Sequence, residues 1–334
     1  MRLGLIWSTV LPRGAWPAGY RASGATGVPD MPKMLPVIQS GTAAEPPLLF
    51  KRVAIVGLGL IGGSIALAVR QHWPSSLVIG LDRKDVLEKA MVLHAIDVAA
   101  DDPVVIAEAD LVILAAPVAQ NIDRLAELDR YVTTPAVVTD VGSTKQTTVE
   151  AARQLPSRLT FVGGHPLGGA PRSGIEYARP DLFVDRPWLF TPEGCDNAAV
   201  LERLYSFVRV LGAEPHILDP VEHDRMLAFL SHLPQLTASA LMHVVGNRVG
   251  EAGLAMTGRG LFDATRLASS PADIWRDICG SNADAIGEAI GELINELEAL
   301  RRGLESSGEI DRVFESAGEW RARLAALRAT RRGG

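Results

Sequence analysis

Cysteine is nearly missing from this chain: Cys195 and Cys279 are the two present in 334 residues, and neither belongs to a CxxC or Cys/His spacing. That excludes a disulfide framework and a thiolate zinc site, and it fits a reducing compartment, so a cytoplasmic location is expected. A basic excess is missing too. The 33 Lys and Arg stand against 39 Asp and Glu, a net charge of -6. A nucleic-acid footprint or a polybasic membrane surface needs clustered cations that outweigh the acids. No apolar run approaches the ~18 residues that span a bilayer; the longest, LVILAAPVA at 111–119, is broken by Pro117 and suits a buried strand. Arg2 ahead of LGLIWSTVL faintly resembles the start of a signal peptide, but no small-residue cleavage site follows. Internal repeats are also absent. Small polar metabolites remain as the expected partners, with neither nucleic acid nor membrane among them.

What is present is ordinary globular composition, 47% hydrophobic and 22% charged, with length for two domains. Residues 12–49 are rich in Pro, Gly, Ala and Ser without hydrophobic periodicity, so residues 1–50 are expected to be a disordered extension. Met31 and Met34 inside it fit an over-long start. From Arg52 the pattern becomes strand, glycine turn and helix, and it recurs at SLVIGLD (76–82), ADLVILAAP (109–117), PAVVTDVGS (135–143) and LTFVGGHP (159–166). Near-continuous apolar strands alternating with helices predict an α/β domain over 51–218, a mostly parallel sheet covered on both faces. RPWLFTP (186–192) and AEPHILD (213–219) read as strands added at its far edge. Beyond Asp219 strand signals stop, and residues 219–328 read as an all-helical domain. There Ile286, Ile290, Leu293, Leu297 and Leu300 share one helix face, which needs a neighbour, in this chain or a second subunit. The Arg-rich end is expected to fray.

Gly57, Gly59 and Gly62 form GxGxxG between a strand and a helix. In that context the first glycine allows a tight turn, the second lets backbone approach a pyrophosphate, and the third lets the helix close on the strand. The helix N-terminus then offers N–H groups to the phosphates. Asp82 ends the second strand about 20 residues on, where a carboxylate accepts from ribose hydroxyls. It would repel a 2′-phosphate, which favours NAD over NADP, although Arg83 beside it could pair with such a phosphate. Leu60, Ile61 and Pro117 complete the expected cofactor-binding set.

TDVGSTK (139–145) and GGHPLGG (163–169) follow successive strands, and residues past the carboxyl ends of strands in such a sheet face the ligand crevice. Ser143 and His165 are therefore expected beside the nicotinamide, with glycines letting ligands approach an imidazole of ordinary pKa near ~6.5. Pro234 in SHLPQ (231–235) predicts a helix kink that frees polar groups near the cleft.

GLGLIGGS, DVGSTK, GGHPLGG, EHDRMLAFLSHLPQ and FDATRLASSPADIWRDI (262–278) stand in the order found in prephenate/arogenate dehydrogenases of tyrosine biosynthesis. The chain resembles that family from about Arg52 to about Leu324. The resemblance implies a Rossmann-like sheet followed by a helical substrate and dimerisation domain, a homodimer, and NAD-dependent oxidative decarboxylation of prephenate. Arogenate, or an amino-substituted prephenate of specialised metabolism, is the alternative substrate. It implies His165 as acceptor of the 4-hydroxyl proton, supported by Ser143. Arg266 would bind the side-chain carboxylate, in a network with Asp263; the bland alternative is a helix-surface ion pair between those two. Trp275 reads as pocket wall, dimer contact or core, and His232 as structural or site residue. Gln235 stands where the family commonly has a histidine that contacts the ring carboxylate, and an amide can still donate there. His223 and Asp224 resemble a family pair with a capping or a binding role. At Ala170-Pro171 relatives often carry an acid that would favour an ammonium; its loss, with Arg172 beside it, leans towards prephenate.

Overall fold

The computed structural model describes residues 46–169, 172–195 and 197–333. Strand and helix alternate as β1 (Arg52–Val56), α1 (Leu60–His72), β2 (Leu77–Leu81), α2 (Lys84–Val92), β3 (Val98–Ala100), β4 (Leu111–Leu114), α3 (Val118–Tyr131), β5 (Ala136–Asp140), α4 (Gln146–Ala152), β6 (Leu159–Pro166), β7 (Pro187–Thr191), α5 (Ala198–Val210) and β8 (Glu214–Ile217). The strands form one sheet in the order β3-β2-β1-β4-β5-β6-β7-β8. Pairing is parallel from β3 to β6, β7 runs antiparallel to β6, and β8 is parallel to β7. Alternate residues enter two cores, Val53, Ile55 and Ile113 against α1 and α5, and Ala54, Val56 and Leu114 against α3. Burial on both faces is why these strands read as unbroken apolar runs. β3 gave no such signal, because its three residues lie at the sheet edge and are not fully buried.

The expected disorder over 12–49, and the extension drawn to residue 50, need correcting at their C-terminal end. Met31, Met34 and everything before residue 46 lie outside the described residues, as do Ala170 and Pro171. Pro47 to Phe50, however, are packed. The Pro47 carbonyl accepts from Trp73 Nε1 at 3.1 Å, Phe50 is buried edge-on to Phe207, and the Arg203 guanidinium lies 3.9 Å from the centroid of the Phe50 ring. One aromatic gives this segment the apolar area that the residues before it lack.

Helices follow as α6 (Pro220–Leu227), α7 (Leu233–Leu254), α8 (Arg259–Ala264), α9 (Ala272–Ser281), α10 (Ala283–Arg302) and α11 (Ser307–Gly333). Asp219 caps α6, accepting from Val221 and Glu222 N–H, and Pro220 occupies the first turn, where a missing N–H is harmless. The helix is interrupted just ahead of Pro234. Residues Ala228–His232 form one π-helical turn, in which Leu233 N–H reaches the Ala228 carbonyl five residues back. The widened turn absorbs the missing donor and the bulk of the ring. α11 continues to Gly333. α6 packs on α4 and α9 on α3, which brings the helices over the carboxyl ends of the strands.

Candidate active site

The order in which strands are added reverses between the parallel neighbours β1 and β4, β2 and β3 lying to one side and β5 and β6 to the other, which opens a crevice at their carboxyl ends. Gly57 has φ +96°, and a Cβ there would lie 2.6 Å from the Ala115 backbone; one at Gly62 would collide with the Gly57 carbonyl. Gly59 has nothing within 4 Å of a Cβ. Two glycines thus close the turn while the middle one leaves bare backbone facing open space. Asp82 pins this turn from β2, accepting from Leu58 N–H at 2.6 Å and from Arg83 N–H at 2.6 Å. Each carboxylate oxygen keeps a second acceptor site. Arg83 points to solvent and pairs with Asp85 at 3.6 Å.

A cleft of about 1080 Å³ runs from the glycine turn to the helices. Leu60, Ile61, Pro117 and Ser143 line its sheet side, and Arg266 and Trp275 its helical side. Asp82, Arg83 and Asp263 do not line it. Arg266 opens the one-turn helix Arg266–Ser269 and is exposed. Among the described residues its guanidinium makes no ion pair or hydrogen bond, so the surface pair with Asp263 does not form. Trp275 is both wall and packing, half-buried on the cleft and against the Ala228–Ile278 cluster. Arg172 also lines the cleft and donates to the Tyr177 hydroxyl at 3.3 Å.

His165 is not on these walls. It is 9% exposed behind the cleft, and it lies inside β6, opposite Leu189 of β7, rather than on a loop. The glycines before it serve packing more than ligand approach: a Cβ at Gly164 would lie 2.6 Å from the Asp140 carbonyl oxygen. The imidazole belongs to a buried chain. His165 Nδ1 meets His223 Nε2 at 2.9 Å, and His223 Nδ1 meets Asp224 Oδ1 at 2.8 Å. A carboxylate oxygen accepts, so His223 donates from Nδ1 and its Nε2 accepts a hydrogen bond from His165 Nδ1–H. His165 Nε2 is left as a lone pair. The expectation of an ordinary imidazole pKa is corrected: burial first, then His223, Lys145 and His232, hold His165 well below 6.5. Burial also lowers His223, against the pull of Asp224.

Capping does occur, but not on α6. Asp224 accepts from the backbone N–H groups of Lys145 and Gln146, at 2.7 and 2.9 Å, at the start of α4. His232 is buried in the π turn, edge-on to Trp275, and burial takes it down to about 4. Asn282 Nδ2 lies 3.3 Å from His232 Nδ1, and Nε2 has no partner. Gln235 is not free to meet a ligand. Its Nε2 donates to the Leu267 carbonyl at 2.7 Å and its Oε1 accepts from Ser270 Oγ at 3.0 Å, tying α7 to the segment that carries Arg266. Sequence reasoning passed over Asp140 and Lys145, a fully buried ion pair inside the quoted DVGSTK. Two opposite charges flanking Gly-Ser at the end of an apolar strand were the available signal.

The family model for the prephenate dehydrogenase nucleotide-binding domain matches residues 65–216, and that for the prephenate dehydrogenase dimerization domain matches residues 219–318. Prephenate dehydrogenase of Bacillus subtilis (strain 168) is 36% identical over 277 residues, 80% of this chain and 75% of that protein. Cyclohexadienyl dehydrogenase of Zymomonas mobilis is 31% identical, over 77% of this chain and 90% of its own length. Among solved structures, prephenate dehydrogenase from A. aeolicus in complex with hydroxyphenyl propionate and NAD+ aligns with a TM-score of 0.78 at 27% identity, covering 84% of this chain and 100% of that one. With its glycine turn, its cleft and these matches along both halves, the chain belongs to the prephenate dehydrogenase family.

Proposed function

We propose that this chain is an NAD-dependent prephenate dehydrogenase, converting prephenate to 4-hydroxyphenylpyruvate with loss of CO2 in tyrosine biosynthesis. The observation that carries the reading is the Asp224–His223–His165 chain, which leaves one neutral imidazole nitrogen as a proton acceptor behind a cleft bearing an unpaired guanidinium. The residues at the crevice fit NAD: bare backbone at Gly59, the α1 N-terminus, and Asp82 with spare acceptor sites. NAD bound there supplies the hydride acceptor. Residues 51–218 would hold it, and 219–328 would supply substrate contacts and the dimer.

His165 Nε2 takes the 4-hydroxyl proton as C4 loses hydride. The ring carboxylate then departs as CO2, its electron pair enters the ring, and the oxygen becomes a phenolate that takes the proton back. No proton need leave the site. The acceptor therefore has to be neutral and oriented rather than open to bulk water, which suits a buried, bonded imidazole. Ser143, on the cleft wall, supports the same oxygen. Arg266, whose guanidinium has no partner among the described residues, can pair bidentately with the side-chain carboxylate.

Arg172 on the same cleft repels an ammonium, which favours prephenate over arogenate. The Gln235 amide is spent on Leu267 and Ser270, so its replacement of the family histidine gives no support to an amino-substituted substrate. Exposed Val244, Phe262, Leu297, Phe314 and Trp320 on the helices give a homodimer apolar area to bury. Among the described residues no helix is long and apolar enough to cross a membrane, and unbridged Cys195 and Cys279 accord with the cytoplasm. The test is nicotinamide reduction and CO2 release by the purified chain with prephenate or arogenate, each with NAD or NADP. Fastest turnover of prephenate with NAD is expected; turnover of neither substrate rejects the assignment.

A further inference from the structure

The parallel ladder between β5 and β6 ends at Thr139 and Val162. From Gly163 onward β6 is held by β7 alone on its other edge. On the side where a strand is missing, both backbone groups of Gly164 are nevertheless satisfied: its N–H by Asp140 Oδ1 at 3.1 Å, its carbonyl by Lys145 Nζ at 2.9 Å. Lys145 and Asp140 are ion-paired to each other, both fully buried, and Asp140 also accepts from Gly142 N–H at 2.9 Å, next to Ser143.

Lys145 reaches the imidazole by a second route. Its own backbone N–H bonds Asp224, which bonds His223, which bonds His165, the residue after Gly164. The bonds form a closed ring that starts and ends on Lys145 and contains the proton acceptor. We propose that Lys145, with Asp140, is a positioning residue for His165, replacing the absent strand and holding Gly164–His165 in register with the Ser143 turn. The inference rests on the function proposed above and adds a residue that never touches substrate.

The charged and titratable groups around His165 are Asp140 on β5, Lys145 on the turn, His223 and Asp224 on α6, and His232 on the π turn. Its β7 neighbours Trp188 and Leu189 bear none. Lys145 is the one ammonium in this set; burial lowers its pKa against the pull of Asp140, and its field as well as its bonds acts on the acceptor.

The test is the double variant Asp140→Asn/Lys145→Met in the full chain, which removes the pair without leaving one buried charge alone. Loss of register should lower kcat by at least about 10-fold while KM for prephenate and Kd for NAD change less than about twofold. Because the double variant removes two opposite charges together, the pH shift is read in Lys145→Gln, where the cation alone is lost and the acid limb of kcat/KM should move up by about one pH unit. Lys145→Gln, which keeps a donor without the charge, carries the same test if the double variant does not fold. An NMR titration of histidine-labelled protein, with the His165 signal assigned by its loss in His165→Asn, should show the same upward shift. A folded variant with kcat within twofold and an unmoved His165 titration overturns the inference. If the unaltered chain oxidises neither prephenate nor arogenate, the functional reading fails, and the titration still decides the role of Lys145.

Discussion

Behind the cleft, Asp140, Lys145, Asp224, His223 and His165 are bonded to one another in a chain that leaves His165 Nε2 over, and these five residues are 0–9% exposed. On its rim, the Arg266 guanidinium has no partner among the described residues and Ser143 lines open space. The difference separates two tasks. A group that handles a proton must have its tautomer and direction fixed before substrate arrives, and burial with a full set of hydrogen bonds does that. A group that recognises a carboxylate gains most if its donors are unspent until then. Substitution in the buried part should therefore change the rate of chemistry, and substitution on the rim the concentration dependence.

The harshest test of that division is His165→Asn. It keeps a polar side chain of similar size and removes the acceptor, so kcat should fall about 10²- to 10⁴-fold with little change in KM. Steady-state kinetics with prephenate and NAD would show it. An unchanged kcat would mean that the proton goes elsewhere and that the buried chain is only structural.

Acid should loosen the buried part before the rim. His232 has its pKa at about 4 in the fold against about 6.5 when unfolded. Below pH ~6.5 the unfolded chain therefore binds a proton that the folded chain refuses, and stability present above that pH is lost on the way down to about 4. At about 1.4 kcal/mol per pH unit, His232 alone costs roughly 3 kcal/mol over this window. His165 and His223, also lowered, act in the same direction. Denaturant midpoints should fall steeply between about pH 6.5 and pH 4.5, and less steeply in His232→Gln. Equal slopes would show that this histidine is not held neutral.

The sheet was legible because a strand covered on both faces has to be apolar throughout, as in β1, β4 and β5. β3 was not, being a short edge strand. LTFVGGHP (159–166) was legible as a strand despite its glycines, and β6 spans those residues; glycine at 163 and 164 lets it pass close to Thr191 and Asp140, while the expectation that His165 stands past the strand end did not hold. The two sides of the site differed in the same way. Arg266 and Ser143 were legible as cleft residues because each stands in a recognisable block, and both line the cleft. The bonds behind His165 join residues 58 and 79 apart in sequence, at His165–His223 and Lys145–Asp224, and no local pattern announces them.

On the rim, Arg266→Ala should raise KM for prephenate about 10- to 10²-fold, the worth of a charged pair of hydrogen bonds, and leave kcat nearly intact. The boundary between the two regions would have to be redrawn if kcat fell instead, since the guanidinium would then be acting on the transition state rather than holding the substrate.

Gln235 lies between the two regions, 4% exposed like the buried part yet bonded to the Leu267–Ser270 segment of the rim. Gln235→Leu removes its bonds to the Leu267 carbonyl and Ser270 Oγ and lets the Arg266 turn drift. Each such bond is worth about 0.5–1.5 kcal/mol, so KM should rise roughly 2- to 10-fold with kcat held. The same substitution separates support from contact. An amide that only braces Arg266 should add nothing once Arg266 is alanine, so the double variant should match Arg266→Ala alone. If instead the two losses multiply, or kcat falls with KM fixed, Gln235 turns towards the substrate on binding, and the direct contact expected from the sequence replaces the bracing role seen in the structure.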